Sequence, residues 1–274
     1  MNLVVPAIVT VTATAMAIGA MLLMRRRAPD GGYFADGDRA SGIFGMLATG
    51  FSVLLGFIVF LAFTSYDRTR AGAESEAIVL VEQFETAQLL PEAHRSELTG
   101  ELVCYGRSVA FQEWPMLESG SPRTDINPWG VALFRTLENV KPTTPVEQAA
   151  YDKWLDQTFT RVEVRNDRLH GAEGVIPLPV WLVLLFTSGV IFTFMLFFAD
   201  SGERAISQAV MIGSVVAVMV SSLFLLRLLD DPYRPGVGGL HPVNMERSLQ
   251  TIDEVRTDLG LHDLLPCDAA GAPA

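Results

Sequence analysis

Residues 42–63, GIFGMLATGFSVLLGFIVFLAF, form an uncharged block of 22 residues. At 1.5 Å of rise per residue, a helix of that length crosses a hydrocarbon core roughly 30 Å thick. The block then runs without a proline into SYDRTRAGAESEAIVLVEQFETAQLL, where Gly72 is the only glycine before Pro91. An unbroken helix from Ser41 to Leu90 would be roughly 70 Å long, so about half of it would stand outside the lipid. Such an element is at once a pore-lining candidate and a stalk.

Three further apolar blocks accompany it. Half of the 274 residues are hydrophobic, and they are gathered into long uncharged runs rather than spread periodically. Met1 to Met24 is apolar and stops at Arg25, Arg26 and Arg27. A secretory signal carries its charge before the apolar run, so this reversed order reads as a membrane span. LPVWLVLLFTSGVIFTFMLFFA and the block from Ala205 to Leu229 supply the other two. The expected fold is therefore an all-α integral membrane protein with four transmembrane helices and a helical domain inserted between the second and third. Its parts are a first hairpin over 1–65 (spans about 3–24 and 42–63), an insert over 66–175, a second hairpin over 176–230 (spans about 178–199 and 205–229), and a turn, short amphipathic helix and flexible tail over 231–274.

The insert reads as helices throughout. Ala77, Leu80, Val81, Phe84, Ala87 and Leu90 recur at helical spacing on the stalk, so something must cover that face. Pro91 opens a covering helix with Leu98, Leu102, Val109 and Phe111 as buried candidates; it should end near Trp114-Pro115, because the residue before a proline is pushed out of the α region. A turn over 119–128 leads to a short helix at Trp129–Val140. Thr144 is the expected N-cap of a helix from Pro145 to His170.

Composition excludes several classes. A formal net charge of −11 without a basic tract argues against nucleic acid, whose phosphates are neutralised by Lys and Arg. Cys104 and Cys267 are too few for a zinc site or a disulfide framework; a single bridge would require both to lie on an oxidising side. His94, His170, His241 and His262 show no ligand spacing, so no metal or cofactor is expected. No nucleophile elbow, glycine-rich phosphate loop or HExxH is present, so the chain reads as a non-enzyme. The central parts of the spans carry no Asp, Glu, Lys or His, which disfavours a proton-coupled carrier and leaves a passive pore open.

With four spans, the insert and both termini share one side. The short loops hold Arg25, Arg26, Arg27, Arg39 and Arg204. Short-loop arginines stay in the cytoplasm, which places the insert and termini outside, in a periplasm if the cell has one.

The segment FSVLLGFIVFLAFTSYD, Phe51 to Asp67, resembles the second transmembrane helix of bestrophins, which lines the neck of a pentameric anion channel. The order of elements is also similar, and Asp231-Pro232-Tyr233 resembles the Asn-Pro-Phe turn after the last span of that family. The whole chain to about Tyr233 is more similar still to the bacterial bestrophin-like membrane proteins, through Glu113-Trp114-Pro115, the helix start at Thr144-Pro145 and Leu229-Asp230-x-Pro232. The resemblance implies a homo-oligomer, a pentamer, in the lipid bilayer with a small anion, chloride, as the passing ion. It also implies that Thr49, Val53 and Phe57, one stripe at four-residue spacing, are the neck. The arginine count is the departure, because bestrophins keep the insert in the cytosol.

Each candidate has a plainer reading. Phe57 could face lipid or pack between helices. Gly45, Ala48, Ser52 and Gly56 form a small-residue face whose usual meaning is helix packing. Asp230 and Asp231 offer cation-binding oxygens but more often end a helix, and Arg227 can pair with either. The alternative function is a non-conducting membrane scaffold or sensor whose insert binds a partner.

Overall fold

The structure, a computed structural model, describes residues 4–29, 33–120, 127–261 and 264–274. Parts of the expected turn over 119–128 and of the loop over 28–40, the start of the first span, and His262 lie outside the described residues. The helices are α1 (Val4–Arg25), α2 (Gly37–Ala87), α3 (Glu92–Ser108), α4 (Trp114–Glu118), α5 (Pro128–Asn139), α6 (Pro145–His170), α7 (Leu178–Leu196), α8 (Ala205–Asp230) and α9 (Val243–Asp258), with a π-helical segment Val109–Glu113 between α3 and α4. Helices α1, α2, α7 and α8 are long and apolar enough to cross a membrane. The chain divides into two units, one comprising 1–65, 174–230 and 236–238, the other 66–173, 231–235 and 239–274.

The first unit holds α1, α7, α8 and the first part of α2. Its internal faces are narrow. Helix α7 buries Leu184, Ser188, Ile191 and Met195, a stripe at helical spacing, and α8 buries Gln208, Ile212 and Val216. On α2 the buried residues of this unit are Ala40, Phe51, Ile58 and Ala62. The helix starts at Gly37, four residues ahead of the expected start, because Asp36 caps it: Arg39 N donates to Asp36 Oδ1 at 3.0 Å. Phe44 stacks on Phe194 and meets Phe198 edge-on, which ties α2 to the end of α7.

The second unit is built on the rest of α2. Ala77, Leu80, Phe84, Ala87 and Leu90 are buried against α3, α5, α6 and α9, with Leu98, Leu102, Leu133, Trp154 and Ile252 among the residues that cover them. Thr144 and Glu147 form a reciprocal capping box at the start of α6, where Thr144 Oγ1 accepts from Glu147 N at 3.2 Å.

Three expectations are corrected here. The helix that begins at Glu92 does not stop at Trp114-Pro115; its ladder widens into the π-helical segment, in which Trp114 N donates to Val109 O, and resumes as α4. One extra residue in the turn opens the ladder beside Pro115, which has no N–H to give and whose ring would crowd a regular turn. The same shift of register exposes Phe111, expected in the core, and buries Glu113 and Trp114 in its place. The expected flexible tail is instead a small hairpin at 266–274, and Cys104 and Cys267 are joined in a disulfide with Cα atoms 5.7 Å apart.

Candidate functional site

Helix α2 turns two faces in different directions within the first unit. Phe51, Ile58 and Ala62 pack inside it, whereas Thr49, Val53 and Phe57 are exposed. Val53 and Phe57 leave 68% and 60% of their surfaces uncovered by their own chain. The small-residue face is not what holds α2 to its neighbours. A Cβ at Gly45 or Gly56 would meet nothing within 4 Å. Ala48 and Ser52 line a groove of about 330 Å³ with Phe51, Ile191, Val218 and Met219.

Asp230 ends α8 and holds the backbone ahead of α7. Its Oδ1 accepts from Val175 N and Ile176 N at 2.8 and 2.9 Å, and its Oδ2 accepts from Trp181 Nε1 at 3.3 Å. Arg227 lies 3.6 Å from the same carboxylate. These donors occupy the oxygens that a cation would need, so Asp230 serves as a cap. Asp231 pairs with Arg234 at 3.6 Å. Among the described residues no group of three or more His, Cys, Asp and Glu side chains could hold a metal ion.

In the second unit, Glu113, Trp114 and Tyr233 converge with partners from α2, α3 and α6. Arg168 is completely buried and its guanidinium joins two carboxylates: Nε donates to Glu76 Oε2, and Nη2 donates to Glu113 Oε2 at 2.7 Å. Arg165 Nη1 reaches both oxygens of Glu113 at 2.6 and 2.8 Å. Tyr105 Oη donates to Glu76 Oε1 at 2.6 Å, and Tyr233 Oη donates to the carbonyl of Arg168 at 2.5 Å. Trp114 lies edge-on to Tyr233 with centroids 5.4 Å apart, and the Arg168 guanidinium sits 5.7 Å from its ring. Asn127 ties α5 to the group by donating from Nδ2 to Glu113 Oε1 at 2.8 Å while its Oδ1 accepts from Trp129 N. Pro115 is exposed at the start of α4 and takes no part.

The electrostatics follow from burial and pairing. Burial works against the Glu113 charge, but Arg168 and Arg165 beside it prevail and hold its carboxyl below its ordinary value. Burial likewise opposes the Arg168 charge, and Glu76 and Glu113 reverse that and raise its pKa. Burial pushes the Tyr105 and Tyr233 hydroxyls up, so both remain protonated donors. Arg161, 2% exposed, donates to Gln83 Oε1 at 2.9 Å and lies 4.7 Å from the Tyr105 ring centroid; burial lowers its pKa. Glu76 and Arg168 are sealed from solvent. The group acts as a clamp that fixes α2, the π-helical turn, α6 and the 231–235 turn to one another.

Sequence reasoning reached Glu113, Trp114 and Tyr233 but missed Glu76, Tyr105, Arg161, Arg165 and Arg168. A signal was present. Thr69, Glu76 and Gln83 recur every seven residues beside the apolar stripe of α2, and Arg161, Arg165 and Arg168 recur at i, i+4 and i+7 on α6; two polar stripes of that kind fit a helix pair joined by buried polar contacts.

Comparison with known proteins agrees with this architecture. A bacterial bestrophin homologue from Klebsiella pneumoniae, solved as a point variant, superposes with a TM-score of 0.64 at 14% identity, covering 96% of this chain and 100% of that one. A second structure of the Klebsiella pneumoniae homologue gives 0.61 at 15% identity, with 96% and 100% coverage. A crystal structure described as a membrane protein gives 0.60 at 15%, covering all of both chains. At such identities these likenesses show the fold. No curated protein matches. The model of the bestrophin-like domain matches residues 11–238, and with the fold in agreement over nearly the whole length, the chain belongs to the bestrophin-like family.

Proposed function

We propose that this chain is a non-enzymatic subunit of a homo-oligomeric ring, a pentamer by family resemblance, that conducts small anions passively along a pore lined by α2. The observation that carries the reading is the two-faced α2: Phe51, Ile58 and Ala62 pack within the subunit while Thr49, Val53 and Phe57 stand uncovered on one stripe. One such helix cannot enclose a conduit, so the stripe acquires a function only when copies surround an axis. In this reading Gly45 and Gly56, which meet nothing in their own subunit, allow close approach between copies. The four long apolar helices span the membrane.

The ring sits in the bacterial cell membrane with the second unit on the extracytoplasmic side. Two independent observations support that sidedness. Arg25, Arg26, Arg27, Arg39 and Arg204 fall in the short loops, and the second unit contains a disulfide, a bond that persists in oxidising compartments.

The test is native mass spectrometry of the detergent-extracted chain with crosslinking in intact membranes, followed by chloride flux from proteoliposomes. A ring that conducts supports the reading; a monomer in both preparations removes it. A second reading, a scaffold that binds a partner through the second unit, is favoured by Phe159 and Val162 on α6, which are 71% and 51% exposed. A ring that passes no ions would favour the scaffold.

A further inference from the structure

Residues 266–274 fold back on themselves. Ala274 N donates to Pro266 O at 3.0 Å and Asp268 N to Ala272 O at 2.9 Å. Asp268 Oδ1 closes the turn by accepting from Ala270 N and Ala272 N at 2.9 and 2.8 Å. A hairpin of this size is marginal by itself in water, so what fastens it decides whether it stays.

Its attachments fall on one stripe of α3 and on Trp129. Pro266 lies against Gly100, Arg107 Nη1 donates to Asp268 O at 3.2 Å, and Trp129 Nε1 donates to Gly271 O at 2.7 Å. Gly271 has a φ of +85°, and a Cβ there would stand 2.3 Å from Ser108 N, so its backbone lies directly on the last turn before the π-helical segment. Cys104, between those contacts, carries the covalent link. Cys104 is 0% and Cys267 7% exposed, so the bond is out of reach of dissolved thiols once the hairpin is seated. Leu264, ahead of the hairpin, is 98% exposed, while Leu265 beside it packs against the core.

We propose that residues 266–274 are a strap fastened onto α3 by an exported dithiol–disulfide oxidoreductase, which makes such an enzyme a partner of this protein. The inference rests on the extracytoplasmic placement of the second unit. Cys104 and Cys267 are separated by 163 residues, and Cys267 follows the last long apolar helix in the chain, so the bond closes only after α8 has been made. The Cys267 thiolate, on the loose hairpin, attacks the disulfide of the oxidant and displaces one of its thiolates. The Cys104 thiolate then attacks Cys267 Sγ and releases the second. The two thiol protons end on the displaced thiolates of the oxidant, which has gained two electrons and become a dithiol, and the Cys104–Cys267 bond remains.

The full-length chain is produced in cells with and without their exported thiol oxidants, denatured, and alkylated with a polyethylene glycol maleimide. Competent cells should give no modified cysteine before reduction and two after it. Cells lacking the oxidants should give two before reduction, and protease should cut the native protein near Leu264 about tenfold or more faster. Equal bond formation in both cells, or two free thiols in competent cells, overturns the proposal. Sidedness is read separately with Glu138→Cys, an exposed position on α5, probed in intact cells with an impermeant maleimide. Labelling with free native thiols keeps the sidedness and removes the strap. Labelling only after permeabilisation removes the sidedness, and exported fastening with it.

Discussion

Removing the Glu76 charge should be one of the costliest single changes in the molecule. Glu76 and Arg168 are both completely buried, and Glu76 accepts from Arg168 and from Tyr105. Glu76→Gln keeps the shape but deletes a charge, leaving Arg168 to share Glu113 with Arg165 and setting an amide N–H against a guanidinium N–H. Breaking a buried pair from one side costs about 3–5 kcal/mol, because the remaining charge is neither solvated nor matched. For a unit of this size that corresponds to a fall in Tm of roughly 10 °C. Replacing both members, Glu76→Leu with Arg168→Met, should recover part of the loss, since an apolar pair of similar volume is often neutral while Tyr105 loses its acceptor and Glu113 one of its two arginines. The assay is thermal unfolding of the detergent-solubilised chain followed by tryptophan fluorescence, with Trp114 next to the pair as an internal reporter. Full cycle analysis then gives the coupling, expected at about 2 kcal/mol or more. A loss below about 1 kcal/mol for Glu76→Gln, or additive single effects, would refute the clamp.

Three other outcomes follow from named contacts. Gly72→Ala should destabilise by about 1–3 kcal/mol despite the better helix propensity of alanine, worth about 1 kcal/mol; the new Cβ would lie 2.7 Å from Arg168 N and 2.8 Å from Val164 O, and backbone cannot give way. An unchanged Tm would contradict it. Burial pushes the Glu101 carboxyl from 4.5 up to about 7, and its Oε2 has no hydrogen-bond partner while Oε1 accepts from Thr136. Because the folded pKa lies above the unfolded one, this group's contribution is most favourable below about 4.5 and declines until pH passes about 7. The loss should be about 1–2 kcal/mol after solvent screening is discounted. Glu101→Gln should shrink the difference in Tm between acid and alkaline buffers, and a variant with the same pH slope as the parent would exclude the assignment. In a conducting ring, Phe57→Ala should raise chloride flux by widening a hydrophobic constriction, whereas equal flux from matched protein amounts would take Phe57 out of the pore.

The long uncharged runs determined the class and the four long apolar helices by themselves. Burial of a span in lipid is a property of composition and length, which a sequence displays directly. The boundaries of α6 were legible for a similar reason: Thr144, Pro145 and Glu147 specify a local cap, and a cap needs no distant partner. Glu113-Trp114 and Tyr233 were recognisable as motifs, yet their role was not, because it depends on Glu76 and Arg168, residues 37 and 55 positions from Glu113 in the chain.

Only the tertiary structure decided the rest. The π-helical turn put Phe111, expected in the core, at the surface and buried Glu113, since one extra residue in a helical turn is a choice made by packing rather than by local propensity. The pairing of Cys104 with Cys267 and the seating of the hairpin on α3 likewise depend on backbones meeting across 163 residues. Small-residue spacing on α2 indicated close packing, but the side that packs within the subunit carries Phe51, Ile58 and Ala62. A helix periodicity shows that a face exists, and only the neighbours determine what covers it.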